Sequence, residues 1–469
     1  MQASALPLLE DAPALPPGPR TPRLLQSMQY VLRPYATVES VRHFGDRYTV
    51  AGLVGPGKMV VFCDPDGIRD IFSGDGDTLR AGEATGQILG PLVGWHSILV
   101  LDGERHLQER RLMGPPFHGE RMHVYGRLMR ESAIRVIDGW QIGRPFPIHR
   151  EMQAITLDVI LRAVFGVDQE AVLQPFRALV ERFVAQASSA SAPFIALPAF
   201  QYDLGWLSPW GRFVRNRRAI RDALRAEITR RRLDGAGDRT DILSLLVTAR
   251  DEDGQSMSDE ELLDEMFTLL MAGHETTATS LAWIFWHLGR HPGVVDRLRA
   301  ELERVVGAGP LDASQLSRLE YLDAVIKESM RLTPVATLVA RRLHEPARIG
   351  GLALPAGTTV GANIYLAHRR PDVWHDPERF DPDRFLGLRP SPYTFFPFGG
   401  GVRRCLGSAM ATYEMKTVLA EVLTRVDLRI APGYRMRPTV RAVTIAPSRG
   451  MPVVMERRRA SSAPASRSG

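Results

Sequence analysis

One of the chain's two cysteines stands in Phe398-Gly399-Gly400-Gly401-Val402-Arg403-Arg404-Cys405-Leu406-Gly407, after a glycine-rich loop and before an apolar run, Leu406 to Val426. A helix N-terminus carries partial positive charge and free N–H groups. Placed there, Cys405 is expected to have a lowered pKa and to persist as thiolate. Such a thiolate can ligate iron from one side. The glycines let the backbone approach a flat ligand, and Arg403 offers a planar fork to a carboxylate.

A second set, Ala272-Gly273-His274-Glu275-Thr276-Thr277, lies mid-way along an apolar helical segment that starts at the capping box Ser258/Glu261 and stops before Pro292. Glycine and paired threonines are poor helix formers, and threonine hydroxyls bend helices by bonding the carbonyl a turn back. An opened turn there would leave a carbonyl and a hydroxyl for water or dioxygen. His274 is read as a surface-packed residue, not a ligand. A third set places Glu328 and Arg331 three apart on one helix face, upstream of Pro377-Glu378-Arg379-Phe380 and Pro382-Asp383-Arg384-Phe385. His106 and Arg110 share a helix face four residues apart, with Pro116-Phe117-His118 following. Each set alone has a plainer reading: a structural cysteine, a packing notch, a surface ion pair, a solvated basic face. Their order in one chain argues for chemistry.

That order resembles the cytochrome P450 family. Phe-x-x-Gly-x-Arg-x-Cys-x-Gly matches its haem-binding loop, and Ala-Gly-x-Glu-Thr-Thr its oxygen-activation helix. The resemblance covers about residues 100 to 410. It implies haem b with Cys405 as axial ligand, and Phe398, Gly399, Arg403 and Gly407 around it. His106, Arg110 and Arg341 would anchor the propionates, with Arg342 as the competing choice for the third. Ala272 and Gly273 would leave room above the iron. Thr276 would steady the activated oxygen, and Glu275 would feed it protons. Glu328, Arg331 and Arg384 would form a buried structural triad, with Arg379 at the surface. The substrate would meet Ile88, Leu92, Ile98, Leu269, Ala272, Val335, Leu338, Val339 and Thr444, within segments reaching Phe183 to Phe200. This mostly apolar lining implies a lipid, terpenoid, steroid or macrolide-like molecule.

The implied activity is insertion of one atom of O2 into that substrate. No flavin or iron–sulfur segment is legible, so electrons from NAD(P)H are expected through a separate ferredoxin and ferredoxin reductase, with Arg404 toward the partner. Rival readings are a peroxide-driven haem–thiolate peroxygenase and a non-catalytic haem sensor.

The elements that must position these residues are mostly helical. Periodicity and stop signals predict helices near 104–137, 148–166, 169–188, 209–233, 241–250, 259–290, 292–306, 314–332 and 406–425. Strands are expected at 48–51 and 59–62, between 348 and 364, and as a hairpin of 440–445 with 451–455. The fold class is therefore mainly α with small β-sheets, a P450 fold with haem between a long central helix and the cysteine loop. One catalytic domain is expected over 23–457, after an extended segment 1–22 and before a disordered basic tail 458–469. Two distant cysteines argue against a disulfide framework or structural zinc. No signal peptide or membrane-spanning run is legible. A cytoplasmic monomer is expected. The net charge of +6 is scattered rather than gathered with aromatics, which argues against nucleic acid.

Overall fold

The computed structural model describes residues 15–459 apart from 52–56, 77, 118, 120, 167–169, 188–201, 236–238, 308, 310 and 442. His118, most of the segment after Phe183 and the tail beyond 459 lie outside the described residues.

The helices are α1 Arg23–Leu32, α2 Pro34–Glu39, α3 Pro65–Ser73, α4 Ala81–Val93, α5 Gly103–Met113, α6 Arg121–Asp138, α7 Ile148–Ala163 and α8 Glu170–Ala187. They continue as α9 Pro209–Asp234, α10 Ile242–Thr248, α11 Asp259–Leu288, α12 Pro292–Val305, α13 Ala313–Leu316, α14 Glu320–Leu332, α15 Ile364–Ala367 and α16 Ser408–Arg425. The strands are β1 Arg47–Ala51, β2 Lys58–Phe62, β3 Leu79–Arg80, β4 Pro145–Pro147, β5 Leu338–Leu343 and β6 Ala347–Ile349. β7 Leu352–Leu354, β8 Thr359–Asn363, β9 Val426–Ile430, β10 Pro438–Arg441, β11 Thr444–Pro447 and β12 Pro452–Arg458 complete them. One sheet has the order β1-β2-β8-β5-β3; β4-β12-β9, β10-β11 and β6-β7 form three smaller ones.

α11 organises the helical part. Ser258 accepts from the Glu261 N–H, and the Glu261 carboxylate accepts from the Ser258 N–H. Asp259, Glu260 and Glu261 place negative charge in the first turn, where the helix dipole favours it. Thirty residues at 1.5 Å each span about 45 Å. α11 packs along α7 and meets α9, α14, α16 and β11. The opened turn expected around Thr276 does not appear: Thr276 Oγ1 donates to Ala272 O at 2.7 Å and Thr277 Oγ1 to Gly273 O at 3.2 Å inside an unbroken helix.

Other expectations are corrected. The helix read over 104–137 stops at Met113, because Pro115 and Pro116 lack the N–H groups a helix needs. The run 314–332 is two helices, interrupted between Leu316 and Glu320. The expected hairpin of 440–445 with 451–455 is not formed. β10 turns back onto β11, pairing Arg441 with Thr444, while β12 joins β4 and β9. Helices α1 to α4 were not anticipated.

Between α5 and α11 the interior holds carboxyl groups short of partners. Glu109 Oε2 and Glu265 Oε2 are buried without a hydrogen bond among the described residues. Glu265 Oε1 accepts from Ile98 N at 2.5 Å. Burial, then Glu261, push the Glu109 carboxyl up to about 7 against the opposing pull of Arg105. Burial, with Glu109 as the largest charge contribution, holds Glu265 well above the carboxylate range. Glu109 therefore binds its proton more tightly folded than unfolded, and its contribution to stability falls as pH rises from about 4.5 to 7. Glu109→Gln should be more stable than the parent above pH 7, by on the order of 1–3 kcal/mol. Its urea midpoint should vary less with pH between about 5 and 7. Identical pH profiles for the two proteins would contradict this account.

Candidate active site

The cysteine loop is closed by its own backbone. Gly399 N donates to Phe396 O at 2.9 Å, Arg404 N to Gly401 O at 3.2 Å and Cys405 N to Phe398 O at 2.9 Å. Phe398 packs on the main helical core. Gly399 and Gly401 have φ of 69° and 63°, which favour glycine. A Cβ on Gly400 would lie 2.2 Å from Phe72, and one on Gly401 2.5 Å from Phe72 O and 2.6 Å from Asp75 Oδ2. These two glycines are required by α3 and the turn after it. At Gly399 the nearest atom to a Cβ would be Val339 Cγ1 at 3.9 Å, and at Gly407 nothing lies within 4 Å.

Cys405 is an exposed residue with much of the protein packed around it. Its expected low pKa is corrected. Burial raises the thiol, and the Gly407 N–H, Arg110 and Arg404 oppose this only in part. α16 begins at Ser408, so the cysteine sits before the helix rather than in its first turn.

Cationic side chains converge beside this loop. Arg110 donates to Arg404 O at 2.7 Å. Arg403 donates to Ile98 O at 3.0 Å, to Asp102 Oδ1 at 2.5 Å and to Leu101 O. Arg341 grips Asp75 with both arms of its fork, whereas Arg342 is exposed. His106 is buried, and its pKa falls to about 3 through burial, then Arg403, Arg110 and Arg341. Burial lowers Arg403 to about 10, with Asp102 opposing and Arg341 adding to the fall. Asp102 also accepts from Gly82 N at 2.9 Å and Glu83 N at 2.8 Å, which ties α4 to the same point.

These residues fit a flat, dianionic ligand carrying a metal. Three arginines crowd around a neutral His106, with Asp75 and Asp102 as the nearby counter-charges, and the loop offers an exposed cysteine and, at Gly407, a glycine facing open space. Sequence reasoning missed Asp75, whose only signal was its place in Gly74-Asp75-Gly76.

The central helix presents two different faces here. Ala272 is exposed and Thr276 half-buried. Gly273 turns the other way: a Cβ there would meet Ile160 Cδ1 of α7 at 2.6 Å, so it is a packing notch and does not provide the room assigned to it. His274 is buried rather than at the surface, with Nδ1 3.0 Å from Leu270 O. Glu275 points toward α7, where Gln153 Nε2 donates to its Oε2 at 2.5 Å. Its Oε1 has no hydrogen bond among the described residues, and His149 Nε2 is 3.5 Å away. Arg441 Nη1 lies 2.8 Å from His149 Nδ1. Arginine only donates, so Nδ1 accepts and the imidazole proton sits on Nε2, toward Glu275 and Thr279. Burial, Arg441 and His274 lower the His149 pKa to about 3, consistent with a neutral ring. Behind this group lies a cavity of about 930 Å³ that His149, Gln153, Glu181, Arg182, His274 and Arg441 help to line. His149, Gln153 and Arg441 were not singled out in the sequence, being scattered over two distant segments.

Of the expected substrate residues, Ile98 is buried at the carbonyl held by Arg403. Ile88 and Leu92 lie on α4, and Leu269 on α11 one turn before Gly273. Leu92 and Leu269 pack on the main core. Val335 and Leu338 pack on the cluster around Trp283, and Val339 on the one around Phe72. Thr444 is buried with its hydroxyl on Arg441 O, and Val443 beside it is exposed.

Glu328 and Arg331 are both fully buried, joined by bonds of 2.7 and 2.8 Å. Arg384 Nε reaches Glu328 Oε1 at 3.1 Å, and Arg379, exposed, offers only its carbonyl. Arg331 also donates to His368 O at 2.8 Å, and His368 Nε2 accepts from Phe396 N at 2.9 Å. The ion pair is thus connected to the cysteine loop through His368.

A family model described as Cytochrome P450 matches residues 16–452. The chain belongs to the cytochrome P450 family. It is 39% identical over 443 residues to "Putative cytochrome P450 135B1" of Mycobacterium tuberculosis (strain ATCC 25618 / H37Rv), covering 93% of this chain and 90% of that one. It is 37% identical over 447 residues to "Putative cytochrome P450 138" of Mycobacterium bovis, covering 95% and 97%. Its fold matches a retinoic acid-bound cyanobacterial CYP120A1 (TM-score 0.82, 24% identity, 95% of this chain and 99% of that one). It also matches a cytochrome P450DA heme domain (TM-score 0.79, 23% identity, 96% and 98%). Mainly helical architecture with small sheets is the fold of that family. Membership implies haem with a cysteine ligand, and dioxygen as oxidant.

Glu328→Gln should leave buried Arg331 and partly buried Arg384 short of their counter-charge and destabilise the protein by about 3–5 kcal/mol. Arg379→Ala should change stability by less than about 0.5 kcal/mol. Urea denaturation of both variants checks the pair, and equal losses would show that the brace does not run through Glu328.

Proposed function

We propose that the chain is a haem–thiolate monooxygenase that inserts one oxygen atom from O2 into a hydrophobic substrate. The observation that carries this reading is the convergence of His106, Arg110, Arg341 and Arg403 beside the loop that presents the Cys405 sulfur. Haem, when bound, supplies the iron and the oxidative chemistry; the protein supplies binding, orientation and protons. Cys405 would hold the haem iron, Phe398, Gly399 and Gly407 would shape its surroundings, and His106, Arg110, Arg341 and Arg403 would receive the two propionates.

The two faces of α11 divide the proton work. Thr276 Oγ1, with Ala272 beside it, holds a proton on the haem side. Glu275 collects protons from the opposite side, where Gln153 fixes one carboxylate oxygen and neutral His149 faces the other. The cavity behind them gives water a place from which to resupply Glu275. This division favours dioxygen chemistry over a peroxide-driven reaction, which needs no such supply.

A substrate lined by Ile88, Leu92, Ile98, Leu269, Ala272 and Val339 is held by apolar area, so the class is a lipid, terpenoid, steroid or macrolide-like molecule. Electrons come from NAD(P)H through a ferredoxin and its reductase, with exposed Arg404 on the docking side. Two free cysteines fit a reducing cytoplasm.

Cys405→Ala should abolish the red-shifted absorption band of the reduced carbon monoxide complex, and its survival would refute the ligand assignment. Thr276→Ala should keep that band while product formed per NAD(P)H falls on the order of tenfold or more and hydrogen peroxide rises. Unchanged coupling would remove Thr276 from proton handling.

A further inference from the structure

Helix α1 is built inside out. Leu24, Leu25, Met28, Val31 and Leu32 fall on one stripe of its surface, at spacings of three, four and seven residues. In an ordinary surface helix that stripe faces the core. Here Leu24 is 80% exposed, Leu32 68%, Met28 56%, Val31 51% and Leu25 40%, and no residue of the helix is buried. The opposite, polar side holds it to the protein. Gln26 donates to Thr21 O at 2.8 Å and accepts from Ala51 N at 3.2 Å, and the Tyr30 hydroxyl lies 3.0 Å from Thr337 Oγ1. Tyr30 also packs on the cluster around Trp283. The apolar stripe is thus fixed outward by specific bonds.

Charge around the stripe identifies what it meets. Residues 12–38 contain Arg20, Arg23 and Arg33 and no acidic residue. α1 packs against β10, and the segment 428–455 that contains β10 also has no acidic residue. It brings exposed Arg435 and Arg437. An apolar stripe of a 10-residue helix on a basic segment that packs against a second basic segment matches the interface of an anionic bilayer, with side chains in the acyl boundary and guanidinium groups toward the phosphates. No described helix is long and apolar enough to cross a membrane, so the contact is peripheral. We propose that α1 is a membrane-surface docking helix that lays Leu24, Leu25, Met28, Val31 and Leu32 into an anionic lipid surface.

The test is co-sedimentation of the full-length holoprotein with vesicles of phosphatidylglycerol and phosphatidylcholine in equal parts, and of phosphatidylcholine alone. The parent should bind the anionic vesicles on the order of tenfold more strongly than the neutral ones. The double variant Leu24→Asp/Met28→Asp should lose that binding by a similar factor, about tenfold. Both substitutions face outward, so its melting temperature and carbon monoxide band should match the parent's. Arg20→Gln/Arg33→Gln should weaken the preference for anionic vesicles and keep the residual neutral binding. Parent protein left in the supernatant, or binding indifferent to the double variant, overturns the proposal. So does a dimer in sedimentation velocity that Leu24→Asp/Met28→Asp dissolves, since a second copy would then cover the stripe. Lipid binding that appears only after removal of residues 1–14 also overturns it, because that segment would then be the occupant. Sedimentation reads out lipid contact whether or not Cys405 carries haem, so failure here is distinct from failure of the haem assignment.

Discussion

Concentrated positive charge beside Cys405 is the constraint on which the site depends. His106, Arg110, Arg341 and Arg403 come from α5, β5 and the cysteine loop; burial first, then the neighbouring arginines, lower the His106 pKa, and burial, with Asp102 opposing and Arg341 adding, lowers that of Arg403. In a partly desolvated interior such repulsion is far larger than at a surface. Asp75 and Asp102 compensate for part of it, and both also do structural work. Asp75 lies under Gly401, and Asp102 caps the start of α4 while receiving Arg403. A dianion bound here completes a balance that the protein leaves short by itself. The Cys405 thiol is raised by burial, and the Gly407 N–H, Arg110 and Arg404 oppose that only in part.

On the proposed reading, the central helix solves a separate problem, which is to keep proton entry apart from the substrate side. Successive residues on a helix point about 100° apart, so neighbours such as Glu275 and Thr276 cannot share a face. Gly273 contributes by letting α7 come close, at the Ile160 contact. Close approach of α7 is what brings Gln153 and His149 within reach of the Glu275 carboxylate. The glycine is therefore required for the acid's surroundings rather than for space on the haem side. A motif that reads as one unit in sequence serves two sides of one helix.

This explains which features were legible in the sequence. Local signals worked where local physics decides. The Ser258/Glu261 box marked the start of α11, Pro292 marked its end, and the order of motifs marked the family. Signals failed where the partner is distant. Nothing near Asp75 announces Arg341, 266 residues away, and nothing near His149 announces Arg441, 292 residues away. The hairpin was misread because β12 follows β11 closely in sequence but finds its partners in β4 and β9. Helix α1 was missed although its apolar stripe has helical spacing, because it is short and follows a proline-rich entry.

The brace at Glu328 shows why the most irregular part of the site can still be well placed. Glu328 and Arg331 belong to α14, whose helical backbone fixes them three residues apart. Arg331 has donors left over after that pair, and it uses them on His368 O and Pro377 O. His368 then receives Phe396 N, and Phe396 O receives Gly399 N at the root of the cysteine loop. Every link is buried or nearly so, and each spends a donor that would otherwise be unsatisfied. Packing of Gly400 and Gly401 on Phe72 and Asp75 holds one side of the loop, while Gly407 has nothing against it. Further rigidity comes from a regular element, and a buried arginine with several donors is suited to carry it because one planar group serves several partners at once.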